Sequence, residues 1–398
     1  MREEWARNRA EVSGGGAVPL MGSGDARANA LVHGAHAWNL AGTTATAAPI
    51  AILDRIHDLW TTPHGVIKAG LKNKATVRSD GGLSAVSFSE PGRFRAVAFI
   101  NADGMVERVE SVQPNPVMGD TRVVTRYLDY RDHGGVKFPA RIVQEQGGFP
   151  VLDLSVAQVL PNAPVAIEVP ANVPTFAERA TSEKAADGVW FLAGGSHNNV
   201  LIEMKDHLIL VESPLYDGRA LAVLAEAKRL VPGKPVRYVI NSHHHFDHAG
   251  GLRAAVSEGA TLVTSEQARG WYEQVMANPN SVRPDAMQTS GRRASVTGVN
   301  GQRTFTDGDR TVHVHLIEDS IHAQGFMMVW LPRERLLVQA DAFTPGAPNS
   351  PPPAVANVNN VALVQNIERM KLDVDRILPL HGRIVPLSEL YSAVGRRL

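Results

Sequence analysis

A proline-bearing polar stretch from Pro161 to Asp187 separates two segments whose apolar residues follow different periods. That break constrains the architecture more than any other feature of the chain. Ahead of it, runs of alternating character fall at residues 85–88, 95–100, 106–112, 122–130, 140–144 and 151–156. Asp80-Gly81-Gly82, Asp103-Gly104, Gly134-Gly135 and Gly147-Gly148 lie among them. Such turn signals between alternating runs mark hairpins, so this region predicts an antiparallel meander. The alanine-rich stretch from Ala26 to Trp60 carries Ile50, Leu53, Ile56 and Leu59 at helical spacing, which predicts two helices before the meander. After the break, strand-like runs at 189–192, 200–204 and 208–211 precede a helical 218–230, and strands then alternate with helices to the C-terminus. The whole chain predicts an α+β protein: a flexible lead-in over 1–24, a β-rich domain over 25–160, a linker with few contacts over 161–187, and a layered α/β sandwich over 188–398.

Composition narrows the functions open to such a chain. Lysine plus arginine and aspartate plus glutamate each total 40, for a net charge of zero. The balance holds within each half, with 17 basic and 17 acidic side chains over residues 1–177 and 23 of each beyond. Neither half has the basic excess that binding a phosphate backbone demands, so no nucleic-acid partner is expected. No run approaches the ~20 apolar residues that would span a bilayer. The first 16 residues include acidic side chains and no apolar core, which does not read as a secretory signal; a trimmed, exported protein would start similarly. Cysteine is absent, which removes disulfides, thiolate nucleophiles and sulfur-bound zinc. Any metal must be held by nitrogen and oxygen, and 15 histidines are available.

The chemistry concentrates in Asn241-Ser242-His243-His244-His245-Phe246-Asp247-His248-Ala249-Gly250-Gly251, directly after the apolar run 236–240. A loop leaving the carboxyl end of a strand is where α/β sheets place ligands. His243 and His245, two apart, point to one side of an extended segment while His244 points away. Asp247 and His248 turn back toward a second position nearby, and the glycine pair allows the tight turn that follows. Four nitrogen and oxygen donors within six residues suit two adjacent cations, with zinc, manganese and iron all compatible. The alternative for such a run is a polar surface loop.

His243-x-His245-x-Asp247-His248 resembles the signature of the metallo-β-lactamase-fold hydrolase superfamily, over about Gly188 to Leu398. The resemblance implies an αββα sandwich and further donors downstream in order: His322 ahead of a strand pair, Asp341 at the end of the next strand, and His381-Gly382 after a late one. It implies one cation on His243, His245 and His322, a second on Asp247, His248 and His381, and Asp341 bridging them, with zinc the expected metal. The pattern departs from the family at Ile321, where glycine is common, at Ala323, where threonine or serine is common, and at Glu212-Ser213-Pro214, which replaces Asp-x-Gly. His313 and His315 are the rival donors on the preceding strand.

The ligand set implies a dinuclear hydrolase in which a bridging hydroxide attacks an ester, lactone or amide carbonyl, with Asp247 orienting it and relaying its proton. β-Lactam hydrolysis, phosphodiester hydrolysis and a metal-bearing binding protein without turnover stay open as alternatives. A redox di-iron centre is disfavoured because His245 stands where such relatives carry glutamate. Asp341, where the main zinc β-lactamases carry cysteine, resembles the bridging carboxylate of lactonase, glyoxalase II-type and phosphodiesterase members, among which an esterase- or lactonase-like activity is the expectation. Trp271 and Tyr272 are candidate substrate contacts that would make an apolar roof, and His197 and Asn198 are candidates on the hairpin expected to face the metals. The expected substrate is therefore an apolar small molecule, and the oligomeric state stays open, a homo-oligomer included. The β-rich domain is similar in pattern, over about 45–160, to lipoprotein-carrier half-barrels, a likeness that suits a periplasmic location.

Overall fold

Glycine pairs turn the chain at hairpins that the sequence predicts. Gly81 and Gly82 have φ of 57° and 86°, and Gly147 and Gly148 have 60° and 89°, left-handed values that glycine adopts without a steric penalty. The computed structural model describes residues 2–7 and 26–397. These fall into two compact units: 2–7, 26–176 and Pro279–Pro284 in the first, and Ala177–Asn278 with Asp285 onward in the second.

The first unit begins with β1 (Arg2–Arg7), β2 (Ala26–His33), β3 (His36–Ala41) and β4 (Thr44–Ala47), which pair in that order as one antiparallel sheet. Helices α1 (Ile52–Thr61) and α2 (Pro63–Lys72) follow. Thr62 caps α2 by accepting a bond from Gly65 N at 3.1 Å, with Pro63 at the first helical position. Seven strands then run as an unbroken meander: β5 (Thr76–Asp80), β6 (Leu83–Glu90), β7 (Phe94–Ile100), β8 (Val106–Asn115), β9 (Gly119–Asp132), β10 (Lys137–Gln146) and β11 (Phe149–Ser155). One face of that sheet buries Phe88, Phe94, Ala96, Ala98 and Val109 with Ile56, Val66 and Ala69 of the helices.

Three expectations for this unit need correction. Residues 26–47 are three strands rather than helix, and the two helices lie over 52–72. Alanine and threonine in this stretch take their conformation from the partner strand, and Gly34 and Gly42, with φ of 60° and 57°, supply the turns. The lead-in contains β1 over residues 2–7, paired to β2; residues 8–24 lie outside the described residues. The linker is not free of contacts. Ile167, Val169 and Val173 pack on Leu31 and Trp38, Ile167 O lies 2.8 Å from His33 Nδ1, and Asn172 Nδ2 donates to Ala45 O at 2.9 Å. Its last residues form the first strand of the second unit.

That unit contains two sheets. The first runs in order through β12 (Thr181–Ala186), β13 (Val189–Ala193), β14 (Asn199–Glu203), β15 (Leu208–Val211), β16 (Val236–Ile240), β17 (Thr261–Ser265) and β18 (Val296–Val299). β15 to β18 are parallel, with α3 (Asp217–Leu230), α4 (Phe246–Ala249), α5 (Leu252–Ser257), α6 (Glu266–Ala277) and α7 (Ala286–Ser290) in the crossovers, as parallel pairing requires. The second sheet comprises β19 (Gln302–Thr306), β20 (Thr311–Leu316), β21 (Met327–Leu331), β22 (Leu336–Gln339), β23 (Arg376–Pro379) and β24 (Val385–Pro386), with α8 (Val358–Arg369) between β22 and β23 and α9 (Leu387–Ala393) last. Val200, Ile202, Ile209, Val211 and Ile240 of the first sheet share one core with Val312, Val314, Val329 and Val338 of the second and Leu363 and Ile367 of α8. Near-continuous apolar strands are what a sheet covered on both faces demands.

Trp38 is 1% exposed against Val173 and Leu31. Trp38→Ala should lower stability by about 3–5 kcal/mol through the cavity it leaves, read as a reduced midpoint in urea denaturation followed by circular dichroism.

Candidate metal centre

β16 ends at Ile240, and five residues, 241–245, follow before α4 turns the chain back. The return is possible because positions 250 and 251 are glycine. A Cβ on Gly250 would lie 1.9 Å from Leu215 O, and one on Gly251 would lie 2.6 Å from the Ala220 methyl. Gly251 N donates to Ser213 O and Ser213 Oγ donates to Gly251 O, both at 2.8 Å, so the turn is bonded to the segment after β15.

Under this loop lies Glu212, fully buried. Its carboxylate accepts from Ser242 N and from Asn241 Nδ2, each at 2.7 Å, and lies 4.0 Å from His248 Nδ1. Burial pushes Glu212 up from the ordinary carboxylate range, opposed by His248, Ser242 and Asn241. Its φ of 68° places a non-glycine residue in the left-handed region, where its backbone carbonyl accepts from Asn199 Nδ2 at 2.6 Å. On the other side Tyr272, also fully buried, donates to Asn241 Oδ1 and stands 3.2 Å from His243 O.

The donors gather in two adjacent groups. In one, His243 Nε2 lies 3.1 Å from His322 Nε2, and Asp341 Oδ2 lies 3.3 Å from the former and 2.8 Å from the latter; His245 completes it. In the other, His248 Nε2 and His381 Nε2 are 3.1 Å apart, Asp247 Oδ2 is 3.5 Å from His248 and 3.8 Å from His381, and His197 Nε2 is 3.1 Å from Asp247 Oδ2. Within each group the donor atoms all lie within 4.8 Å of one another. Asp341 Oδ1 is 2.9 Å from His381 Nε2, so this carboxylate reaches both groups. Donors bonded tetrahedrally at ~2.0–2.1 Å stand roughly 3.3 Å apart, close to the separations seen here, so the residues fit a divalent cation in each group.

Charge follows the same geometry. Burial pushes the His243 imidazole down to about 3, against the pull of Asp341. His248 is buried too, yet the carboxylates of Asp341, Glu212 and Asp247 hold it up at about 9. Burial alone would raise Asp341, but hydrogen bonds from His243, His248, His322 and His381 hold it far below the usual carboxylate range. Asp247 is likewise lowered, by His197 and His248 against its burial.

Seven donors expected from the sequence thus come together, and His322 reaches its group despite Ile321 and Ala323 beside it. His197, expected near substrate, sits among the donors instead. Asn198 fastens loops: its N donates to Leu380 O and its Nδ2 to Gly382 O, both at 2.9 Å. Trp271 packs edge-on against His244, ring centroids 5.7 Å apart, and Tyr272 is sealed beneath the loop, so neither reaches the donor groups. His313 stacks on Trp330 at 5.4 Å and His315 lies beside it, and neither belongs to a donor group. Glu212, read in the sequence only as a departure, supports the loop; its place directly after the apolar strand β15 was the available signal.

Residues 192–381 match the family model described as the metallo-beta-lactamase superfamily. Two sheets between helices, with histidine and aspartate donors gathered at one place, form the class of metal-dependent hydrolases that this model describes. Residues 192–381 belong to the metallo-β-lactamase superfamily, and the fold implies divalent metal, usually zinc. A metallo-beta-lactamase from Pontibacter korlensis is 18% identical, with 55% of this chain and 98% of that chain covered at a TM-score of 0.42. The metallo-beta-lactamase FIM-1 from Pseudomonas aeruginosa, solved in its mono-zinc form, is 17% identical, covering 55% and 95% at 0.40. One from Hirschia baltica is 18% identical, covering 54% and 96% at 0.40. No curated protein matches the chain.

Glu212→Gln keeps the size of the side chain but turns one acceptor toward Asn241 into a donor. Metal affinity in that variant should fall about 10–100-fold, measured by competition with a chromophoric chelator.

Proposed function

We propose that this protein is a dinuclear metallohydrolase of apolar esters, lactones or amides, with zinc as its metal. The observation that carries this reading is the position of Asp341, whose two oxygens lie within 2.9 Å of His322 in one group and His381 in the other. His243, His245 and His322 would hold the first cation, Asp247, His248 and His381 the second, and Asp341 both. Divalent cations bound there supply Lewis acidity that polarises a carbonyl and acidifies water near neutral pH.

The remaining work falls to the chain's own residues. Neutral imidazoles are the form that binds metal, and burial favours it at His243 and His245. Asp247 is the most exposed carboxylate of the set, at 30% against 11% for Asp341. Its carboxylate is therefore the one placed to orient a water, take its proton and hand it to the leaving group. Substrate class is supported by exposed apolar residues next to the donors. Phe246 and Ile321, neighbours of donors on both loops, are 52% and 54% exposed, and large apolar side chains held open beside a polar centre suit an apolar acyl group.

Asp247→Asn, with metal content verified by elemental analysis, should lower kcat about 100- to 10,000-fold, and unchanged turnover would rule out its role in proton transfer. Against a panel of aryl esters, lactones, β-lactams and phosphodiesters, the metal-loaded protein should hydrolyse esters or lactones and stop on chelation. Failure to turn over any of them, with both equivalents bound, would sink the hydrolase assignment.

A further inference from the structure

We propose that His197 is a fourth protein donor to the second cation, alongside Asp247, His248 and His381. The inference rests on the dinuclear reading above and adds a ligand to it. The hairpin between β13 and β14 presents the His197 ring with Nε2 toward Asp247 Oδ2 at 3.1 Å, and the ring centroid lies 4.4 Å from that of His381 and 5.8 Å from that of His248. Three imidazole nitrogens and one carboxylate oxygen converge there within 4.8 Å of one another. A hydrogen bond between His197 and Asp247 would account for two of the four. A cation at their centre accounts for all of them.

The back of the ring agrees. His197 Nδ1 is 2.6 Å from Ser196 Oγ, and the donor His243 has the same arrangement, Nδ1 lying 2.9 Å from Ser242 Oγ. A hydroxyl accepting Nδ1–H leaves Nε2 as a bare lone pair, the tautomer a metal takes, and ligating histidines commonly anchor their other nitrogen this way. Ser196 O also lies 3.3 Å from Nδ1 of His381, so one hairpin orients two rings of the group.

The hairpin is built to hold this position. Arg219, fully buried, donates to His197 O at 3.3 Å and to Arg179 O at 2.9 Å. A Cβ on Gly194 would lie 2.6 Å from Arg219 Nη1, so only glycine lets the chain pass over this guanidinium. Asn198 ties the far side of the turn to the loop that carries His381. A buried cation under the carbonyl and two bonds to the neighbouring loop leave the imidazole no need to move to complete the set.

The first cation then has three histidines and Asp341, whereas the second has four donors of its own besides the share of Asp341. The second should be the tighter of the two, because a position closed by protein donors keeps less room for water.

The test uses full-length protein stripped of metal and titrated with zinc against a chromophoric chelator, and with cobalt(II) followed by visible absorption. The wild type should take up two equivalents. In His197→Ala the tighter equivalent should weaken by about 100-fold or more, beyond what loss of an outer hydrogen bond costs, and its cobalt band should change in intensity. His197→Gln, which keeps a hydrogen bond to Asp247 but offers no imidazole, should behave like the alanine variant. Equal thermal unfolding of the three metal-free proteins shows the hairpin intact. Unchanged affinity in His197→Ala, or recovery in His197→Gln, overturns the proposal while leaving the dinuclear reading standing. A wild type that takes up fewer than two equivalents overturns both.

Discussion

The Asp341 carboxylate stands against four imidazoles at 2.8–3.3 Å, and the remainder of the second unit is arranged to make that crowding tolerable. Nitrogen lone pairs 3.1 Å apart repel unless positive charge lies between them. A chain free to relax would separate them. Here the donors come from the ends of different strands, and each strand is fixed by a core that spans both sheets. Burying that apolar surface offsets the cost of assembling polar groups at one point.

Rigidity is added one layer out. Glu212 and Tyr272 grip Asn241-Ser242-His243 from below, each through atoms with no exposure to water, where a satisfied hydrogen bond is strong and a lost one is costly. Two backbone bonds sew the sheets together at the same level: Met327 N to Ser242 O at 3.0 Å and Asn198 N to Leu380 O at 2.9 Å. Bonds such as these carry the register of one sheet into the loops of the other. The placement of His322 and His381 opposite His243 and His248 follows from them.

The first unit follows a simpler logic, and its sequence is correspondingly plainer. Alternating runs joined by Asp-Gly or Gly-Gly become a meander because each turn joins strands adjacent in the chain, so no distant partner enters the decision. Residues 26–47 are different. Their alanines and threonines have no strong period, and they become strands by pairing with β1 and with each other. The proline-bearing stretch misleads for a related reason. Ile167, Val169 and Val173 are few among polar residues, yet they cover Trp38 and Leu31, and a small number of well-placed apolar side chains suffices to order a segment.

The sequence alone singled out the candidate donors. His243, His245, Asp247 and His248 sit within one short loop after a strand, and ligand type and spacing are local properties there; His322, Asp341 and His381 were pointed to by the family resemblance, element by element along the chain. Tertiary structure decided the rest. That Glu212 is a buried brace, that Trp271 and Tyr272 turn away from the donors, and that His197 joins the second group all depend on contacts between residues 27 to 50 positions apart. No local pattern encodes such contacts. They arise when two sheets close over a shared core and leave their loops one place to meet.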